Sequence, residues 1–151
     1  MKDESELDAG HRRRAHGTRV TVEAWGPSRG ACLDQVVRAL VEGFEVGDVP
    51  ATEPVPVHVE GSDLDLLVGV LEEVVYVIAV LGMLPVAVSL EDTDEGGVAG
   101  YFDAVSLEHV RTHGALPAAV SRSGLVFEHD GDWRCEAVVE VRSVAGEGST
   151  G

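Results

Sequence analysis

The start of the fold is set by the stretch His16-Gly-Thr-Arg-Val-Thr-Val-Glu-Ala-Trp-Gly26. From Val20 onward, every second residue is small or branched and apolar. A period of two predicts a half-buried strand, with Val20, Val22 and Ala24 on one face and Thr, Glu and Trp side chains on the other. The Gly-Pro pair at 26–27 ends this strand.

Two helical patterns come next in the chain. Ser28 is a candidate N-cap for the first, and Ser62 for the second. Asp63 and Asp65 suit the positive end of the second helix dipole, and Gly82 is a natural C-terminal stop. Apolar residues at offsets of three and four predict one buried stripe on each helix. The stripes are Leu33, Val36, Val37, Leu40, Val41 and Phe44, and Leu64, Leu67, Val68, Leu71, Val74, Val75 and Ile78.

Strands are predicted for most of the remaining chain. Residues 45–56 read as a proline-containing loop, and the alternation at 55–59 predicts a short strand, placed at an edge by its prolines. Further strands are predicted near 86–88, 98–105, 118–120, 125–128 and 133–142, with a hairpin turn at 129–132. The order lacks a repeated βαβ unit. The sequence therefore predicts an α+β fold, with two amphipathic helices packed on a mainly antiparallel β-sheet.

The charge of the chain limits its partners. The 151 residues fit one domain, and eleven basic residues stand against twenty-seven acidic ones, a formal net charge of -16. Such a surface repels phosphate backbones and anionic membranes, so we expect no direct, tight nucleic-acid binding and no membrane partner. Docking on a basic enzyme remains compatible with this charge.

The ends of the chain differ in composition from its middle. Residues 1–15 are acidic and then basic, and we expect a flexible N-terminal arm; residues 16–142 form the domain, and 143–151 a flexible tail. The first ten residues have no apolar core of a signal peptide, and the apolar run at 64–81 contains three carboxylates. We expect a cytoplasmic protein without a membrane span.

Motifs for catalysis or cofactor binding are absent from the sequence. It has no nucleotide-binding glycine loop and no G-x-S-x-G elbow. Cys32 and Cys135 lack metal-type spacing and are predicted to be core thiols. His109 and His113 have a spacing of four, but nearby glycine and proline favour exposed loop histidines. The carboxylates at 92–95 resemble a loose calcium loop, for which an ordinary solvated turn is the preferred interpretation.

The order of several motifs resembles that of the archease family, over about residues 16–142. Archeases open with a His-Thr-Ala-Asp motif that leads into a strand and a glycine, as residues 16–26 do here. An amphipathic helix, a Val-rich strand and a leucine-rich helix opening with Asp-Leu come next, here at 33–44, 55–61 and 62–76. The family's C-terminal Lys-Ala-Val-Thr stretch, short strand, turn, Trp and last strand correspond to 118–121, 125–128, 129–132, Trp133 and 138–141.

The resemblance implies a protein cofactor and not an enzyme, so no catalytic residues are expected. Archeases activate the tRNA-splicing RNA ligase, promoting its guanylylation and multiple turnover, and this ligase is the implied partner. The family's site for a divalent metal such as calcium combines the Asp of the opening motif, an Asp near the C-terminus and the residue after it. In this sequence those positions are Arg19, Glu140 and Val141.

This chain departs from the family at its metal positions. Arg19 replaces a carboxylate with a permanent cation, which cannot ligate a metal. Glu140 keeps an oxygen donor, Val141 offers only its carbonyl, and Ala118 stands where the family has lysine. We predict that the metal is not bound there. Arg19 and Glu140 either form an ion pair in its place or are unpaired surface residues. His16 could line the site, although a local hydrogen bond at a strand start is the favoured role.

Two other functions remain open from the sequence. A divergent paralogue could bind another protein without activating the ligase, as the change at Arg19 suggests. A small enzyme using Asp92 and Asp94 would need a deep pocket with convergent carboxylates. Trp25 and Trp133 could anchor a partner, although packing in the core or at a sheet edge is the preferred interpretation for each.

Overall fold

The computed structural model describes residues 9–47, 52–111 and 115–143. Within these residues the chain forms ten strands, two α-helices and one short 3-10 helix. The helices are α1, Arg29–Leu40, and α2, Asp63–Ala79; the 3-10 helix is Leu107–His109. The strands are β1 Gly10–His16, β2 Arg19–Gly26, β3 Glu45–Val46, β4 Glu53–Val59, β5 Met83–Asp92, β6 Val98–Ser106, β7 Val110–Arg111, β8 Ala115–Val120, β9 Val126–Asp130 and β10 Asp132–Ser143.

Both helices begin at the predicted serine caps. The Ser28 hydroxyl accepts a hydrogen bond from the backbone N–H of Ala31, at 3.0 Å. Ser62 and Asp65 form a reciprocal capping box, in which each side chain accepts from the other residue's backbone N–H. These bonds satisfy donors that the first helical turn leaves free, which explains why each helix begins where it does.

The strands form antiparallel sheets. The largest has the order β1-β2-β10-β8, and β9 pairs with the N-terminal half of β10. A second sheet has the order β4-β6-β5, and β3 pairs with β7. The predicted edge position of β4 is confirmed, as is the hairpin turn between β9 and β10, where Gly131 has φ 82°.

The helices lie between the two larger sheets, and this confirms the predicted α+β class. The α1 helix packs against β1, β2 and β10 on one side and against β5 on the other; α2 packs against β8 and β9 and against β4 and β5. Burial on α2 differs from the predicted stripe, because contact with both sheets widens and shifts its buried surface. Leu64 is exposed, whereas Leu66, Val70 and Val77 are buried.

The prediction of a flexible arm over residues 1–15 is wrong for residues 10–15. These residues form β1, paired along its whole length with β2 through the two-residue turn Gly17-Thr18. The inward-facing His11 reaches the side chains of Gln35 and Glu42, 2.8 Å from each. Residues 1–8 and most of the predicted tail, 144–151, lie outside the described residues.

Two further predictions need correction. Within the predicted loop 45–56, residues 45–46 pair with β7, and β4 begins at Glu53. The β5 strand begins at Met83, earlier than predicted, because a register shift between Pro85 and Ala87 lets it pass the proline. Short pairings and bulges of this kind depend on a partner strand, which local patterns do not identify.

Candidate functional site

A tight turn places Arg19 at the start of β2. Gly17 takes a positive φ of 64°, which glycine adopts without strain, and Arg19 follows directly opposite His16 of β1. On its other side, Arg19 is paired in register with Glu140 of β10. Directly opposed residues on neighbouring strands place their side chains on the same face, so two positions 121 residues apart in sequence meet here.

Arg19 and Glu140 form the ion pair that the sequence left as one of two alternatives. Arg19 Nε donates to Glu140 Oε2 over 2.9 Å. The two side chains are 64% and 36% exposed, so water screens the attraction and the stabilisation is about 0.2–1 kcal/mol. The ion pair therefore adds little to the stability of the fold; its main effect is to place the Arg19 guanidinium against the Glu140 carboxylate.

An irregularity in β10 shapes the rest of this site. The pairing of β10 with β8 shifts register between Glu140 and Val141. The Val141 N–H donates to the Thr18 carbonyl over 2.8 Å, which ties the end of β10 to the β1–β2 turn. Val141 is half-buried and packs against the core, and Ala118 lies on the adjacent β8. Arg19, Glu140 and Val141, the positions to which the resemblance assigns the metal site, are thus together at one corner of the sheet.

His16 is in a different place from the one predicted. It is the last residue of β1, not the first residue of a strand, and its side chain is exposed. Within the described residues it makes no side-chain hydrogen bond. The favoured local hydrogen bond is therefore not found among the described residues, and the role of His16 stays a prediction. The position of His16, across from Arg19, puts a second basic side chain beside the ion pair.

The donor set at this corner does not fit a divalent metal. A guanidinium nitrogen lies 2.9 Å from the carboxylate oxygen that a metal would need. A permanent cation there repels a second one, and Val141 can offer only its backbone carbonyl. Elsewhere in residues 9–47, 52–111 and 115–143, no three His, Cys, Asp or Glu side chains are placed to hold a metal ion.

Of the carboxylates at 92–95, Asp92 has a structural role. Asp92 Oδ1 accepts a hydrogen bond from the Gly30 N–H over 2.7 Å, and Asp92 Oδ2 lies 3.6 Å from Arg29 Nε. This fastens the N-terminus of α1 to the end of β5. Asp94 and Glu95 are exposed in the following turn. The helix contact of Asp92 was not predicted, because it joins residues 62 apart.

The two cysteines lie in the core, as predicted. Cys32 and Cys135 are buried, with their sulfur atoms 3.3 Å apart. The hydrogen bond with the Cys32 thiol, followed by burial, raises the pKa of Cys135 well above its ordinary value. The Cys135 thiol therefore stays protonated and a poor nucleophile. Of the two spaced histidines, His109 lies in the 3-10 helix and His113 lies outside the described residues.

The two tryptophans face opposite sides of the main sheet. Trp133 packs against the core, edge-on to Phe127 and stacked on His129 at 4.6 Å between ring centroids. This confirms the packing role preferred for Trp133. Trp25 lies on the outer face, where the Arg12 guanidinium is 5.4 Å from its ring centroid.

The fold and this corner define a class of small α+β domains, with two helices between antiparallel sheets and the end of β10 beside the start of β2. The chain matches the model of the family described as "Archease protein family (MTH1598/TM1083)" over residues 12–141. Two curated proteins, both named "Probable protein archease", come from Mycobacterium tuberculosis strains CDC 1551/Oshkosh and ATCC 25618/H37Rv. Each is 36% identical over 138 residues, covering 88% of this chain and 75% of its own.

A solved structure has the same fold. The solution structure of Methanobacterium thermoautotrophicum protein 1598 superposes with a TM-score of 0.56 at 16% identity, covering 87% of this chain and 98% of its own. The family model and the curated relatives, which both span most of the chain, show that this chain belongs to the archease family. No helix in the described part is both long and apolar enough to cross a membrane.

Proposed function

We propose that this chain is a protein cofactor that activates a tRNA-splicing RNA ligase, promoting its guanylylation and multiple turnover, without being an enzyme itself. The observation that carries this proposal is the match to the archease family over residues 12–141. The ligase is its protein partner, the cytoplasm its compartment, and direct, tight RNA binding forms no part of its action. The net charge of -16 suits contact with a basic protein better than contact with RNA.

The proposal includes a site that works without a metal. In the family a divalent ion joins the two carboxylate positions, whereas here the Arg19 guanidinium contacts Glu140 directly. One positive group is therefore present at the same corner of the sheet, supplied by a side chain. Arg14 and His16 lie beside it on β1, so basic side chains are grouped at this corner of an otherwise acidic protein.

A second function is favoured by the same departures from the family. Arg19 changes the charge of the first metal position, and Ala118 removes a lysine that the family's stretch carries. A paralogue that binds another protein, or acts as a chaperone-like module without stimulating the ligase, fits those two changes. The experiment below separates the two functions.

The test is multiple-turnover ligation by the tRNA-splicing ligase of the same organism, with RNA in large excess over ligase. We expect more product per ligase when the wild-type chain is added. Arg19→Ala should reduce this stimulation. The matched control is Arg122→Ala, which removes a comparably exposed ion pair, with Arg122 2.7 Å from Glu72 of α2. No stimulation by a folded wild-type chain, with an active ligase, would favour the second function.

A further inference from the structure

The main sheet has one face that neither helix covers within the described residues. We call it the open face. Burial of Val20, Val22 and Ala24 shows which side of β2 meets α1, so the residues between them point to the other side. The register extends this face across four strands. Its side chains include Arg12, Arg14 and His16 of β1, Arg19, Thr21, Glu23 and Trp25 of β2, Val126, Glu128 and Asp130 of β9, and Arg134, Glu136, Val138 and Glu140 of β10.

Carboxylates lie opposite one another at the end of the open face farthest from Arg19. Glu136 is paired in register with Glu23, and Asp132 with Asp130. Like charges directly opposite on a sheet repel, which costs stability in the isolated protein. Glu23 has Arg12 as an ion-pair partner, at 3.4 Å. Within the described residues, four other carboxylates make no side-chain hydrogen bond or ion pair: Glu128, Asp130, Asp132 and Glu136.

Two adjoining cavities indent the face among these carboxylates. The smaller, of about 90 Å³, is lined by Glu23, Glu128 and Glu136 among others; the larger, of about 250 Å³, is lined by Arg12, Asp130 and Asp132 among others. Trp25 and Arg134 line both cavities. The acidic side chains thus line hollows large enough for the ends of basic side chains, together with the chain's own Arg12 and with Arg134, which is paired in register with Glu128. On this part of the face the carboxylates still outnumber the two arginines.

The wall shared by the two cavities is held in place. The Trp25 ring packs so closely over Gly10 that a Cβ on that glycine would lie 2.7 Å from a ring carbon. On the same ring lies the Arg12 guanidinium, 5.4 Å from the centroid. The chain's own Arg12 therefore already uses this ring, and the carboxylates beside it are the groups that suit arginine and lysine side chains of a partner.

We propose that the acidic end of the open face, centred on Trp25 with Glu128, Asp130, Asp132 and Glu136, docks an arginine- and lysine-rich patch of the ligase. This inference rests on the proposed function and names the surface that would carry it. Cations from the partner would neutralise the opposed carboxylates, so binding would relieve the repulsion within the free sheet. Along β10, Glu136 lies about 13 Å from Glu140 on the same face, and Arg134, which is paired with Trp25, about 20 Å. One partner could therefore cover both places.

The experiment measures binding of the ligase by biolayer interferometry, in parallel with its stimulation. The test variant is Glu128→Lys/Asp130→Lys, at two exposed residues without ion-pair partners among the described residues. Its matched control is Asp94→Lys/Glu95→Lys, which changes the net charge equally, at exposed residues in the β5–β6 turn. Circular dichroism checks the fold. If the lysine variant misfolds, Glu128→Gln/Asp130→Asn replaces it.

We expect the lysine variant to raise Kd for the ligase at least tenfold, the neutral variant about threefold, and the control less than twofold. The affinity of the wild type should fall with added salt more steeply than that of the lysine variant, because exposed charges are screened. Equal Kd values for wild type and lysine variant would overturn the docking surface and leave the proposed function intact. Wild-type binding without stimulation would refute the proposed function alone. A wild-type chain that does not bind the ligase would overturn both.

Discussion

Replacement of Asp34 by asparagine should stabilise the protein at neutral pH. Asp34 lies half-buried on α1, and its Oδ1 accepts a hydrogen bond from the Leu90 N–H over 2.9 Å. Burial is the main cause that raises the pKa of this carboxyl from 3.8 to about 6; the Leu90 hydrogen bond and Arg38 oppose the rise, and Glu91 adds to it. The native state therefore prefers the neutral acid, which asparagine imitates.

The sign and size of the effect follow from proton linkage. Between pH 4 and pH 6 the native state binds the Asp34 proton and the unfolded chain does not, so stability is lost as the pH rises through this window. A rise in pKa from 3.8 to about 6 corresponds, without solvent screening, to a loss of about 3 kcal/mol. Because the side chain is partly exposed, solvent screening reduces our expectation to about 1–1.5 kcal/mol. Asp34→Asn removes the charge, and the amide oxygen of the new side chain can still accept the hydrogen bond from the Leu90 N–H.

The assay is urea unfolding of wild type and Asp34→Asn at pH 4.5, 5.5, 6.5 and 7.5, with Asp94→Asn as an exposed control. The variant should gain about 1 kcal/mol over wild type at pH 7.5, and the gain should shrink towards pH 4.5. Other carboxylates contribute equally to both proteins, so the difference isolates Asp34. A variant less stable than wild type at pH 7.5, or a difference independent of pH, would contradict the unfavourable burial of a charged Asp34.

Four further predictions follow from the site and the core. A double-mutant cycle of Arg19→Ala and Glu140→Ala, measured by urea unfolding, should give a coupling of about 0.2–1 kcal/mol, and a value above about 2 kcal/mol would contradict the solvent screening. Calorimetric titration with calcium should show no binding to wild type at this corner, whereas Arg19→Asp, which restores the family's carboxylate, should bind. Ellman's reagent should leave Cys32 and Cys135 unmodified in the native state and modify both in urea; fast native labelling would contradict their burial. Gly30→Ala should lower the urea midpoint despite the better helix propensity of alanine, because its Cβ would lie 2.7 Å from the Leu90 carbonyl oxygen; an unchanged or higher midpoint would show that the strand can move away.

Local signals in the sequence were sufficient for both helix starts. Ser28 and Ser62 cap their helices through bonds that reach only three residues along the chain. The alternation of Val20, Val22 and Ala24 likewise predicted the buried face of β2. Such features depend on neighbours in sequence, which is why they could be predicted without knowledge of the fold.

The β1 strand could not be predicted from its composition. Its charged run 11–14 resembles a solvated arm, whereas the structure turns His11 and Arg13 towards α1 and leaves Arg12 and Arg14 outside. Long basic side chains can cover apolar surface with their stems while their polar ends stay at the surface. The strand exists because β2 is there to pair with it, and the signal for that pairing was the Gly-Thr turn at 17–18.

The candidate site likewise depends on how neighbouring strands pair, because strand register decides which side chains meet. The resemblance to the family drew attention to Arg19 and Glu140, and the structure shows that they are opposite each other on adjacent strands. Their charges alone would not have singled them out among eleven basic and twenty-seven acidic residues. The carboxylates of the open face that have no partner among the described residues became visible only when the register of β9 and β10 was known.

The most direct test of the account is the rate at which the same organism's tRNA-splicing ligase becomes guanylylated by radiolabelled GTP, with and without this chain. We expect a faster rate with the wild-type chain, and no further change when calcium is added, because we propose that the Arg19 guanidinium takes the place of a metal beside Glu140. An unchanged rate would contradict activation of the ligase. Acceleration that appears only with added calcium would contradict the metal-free site.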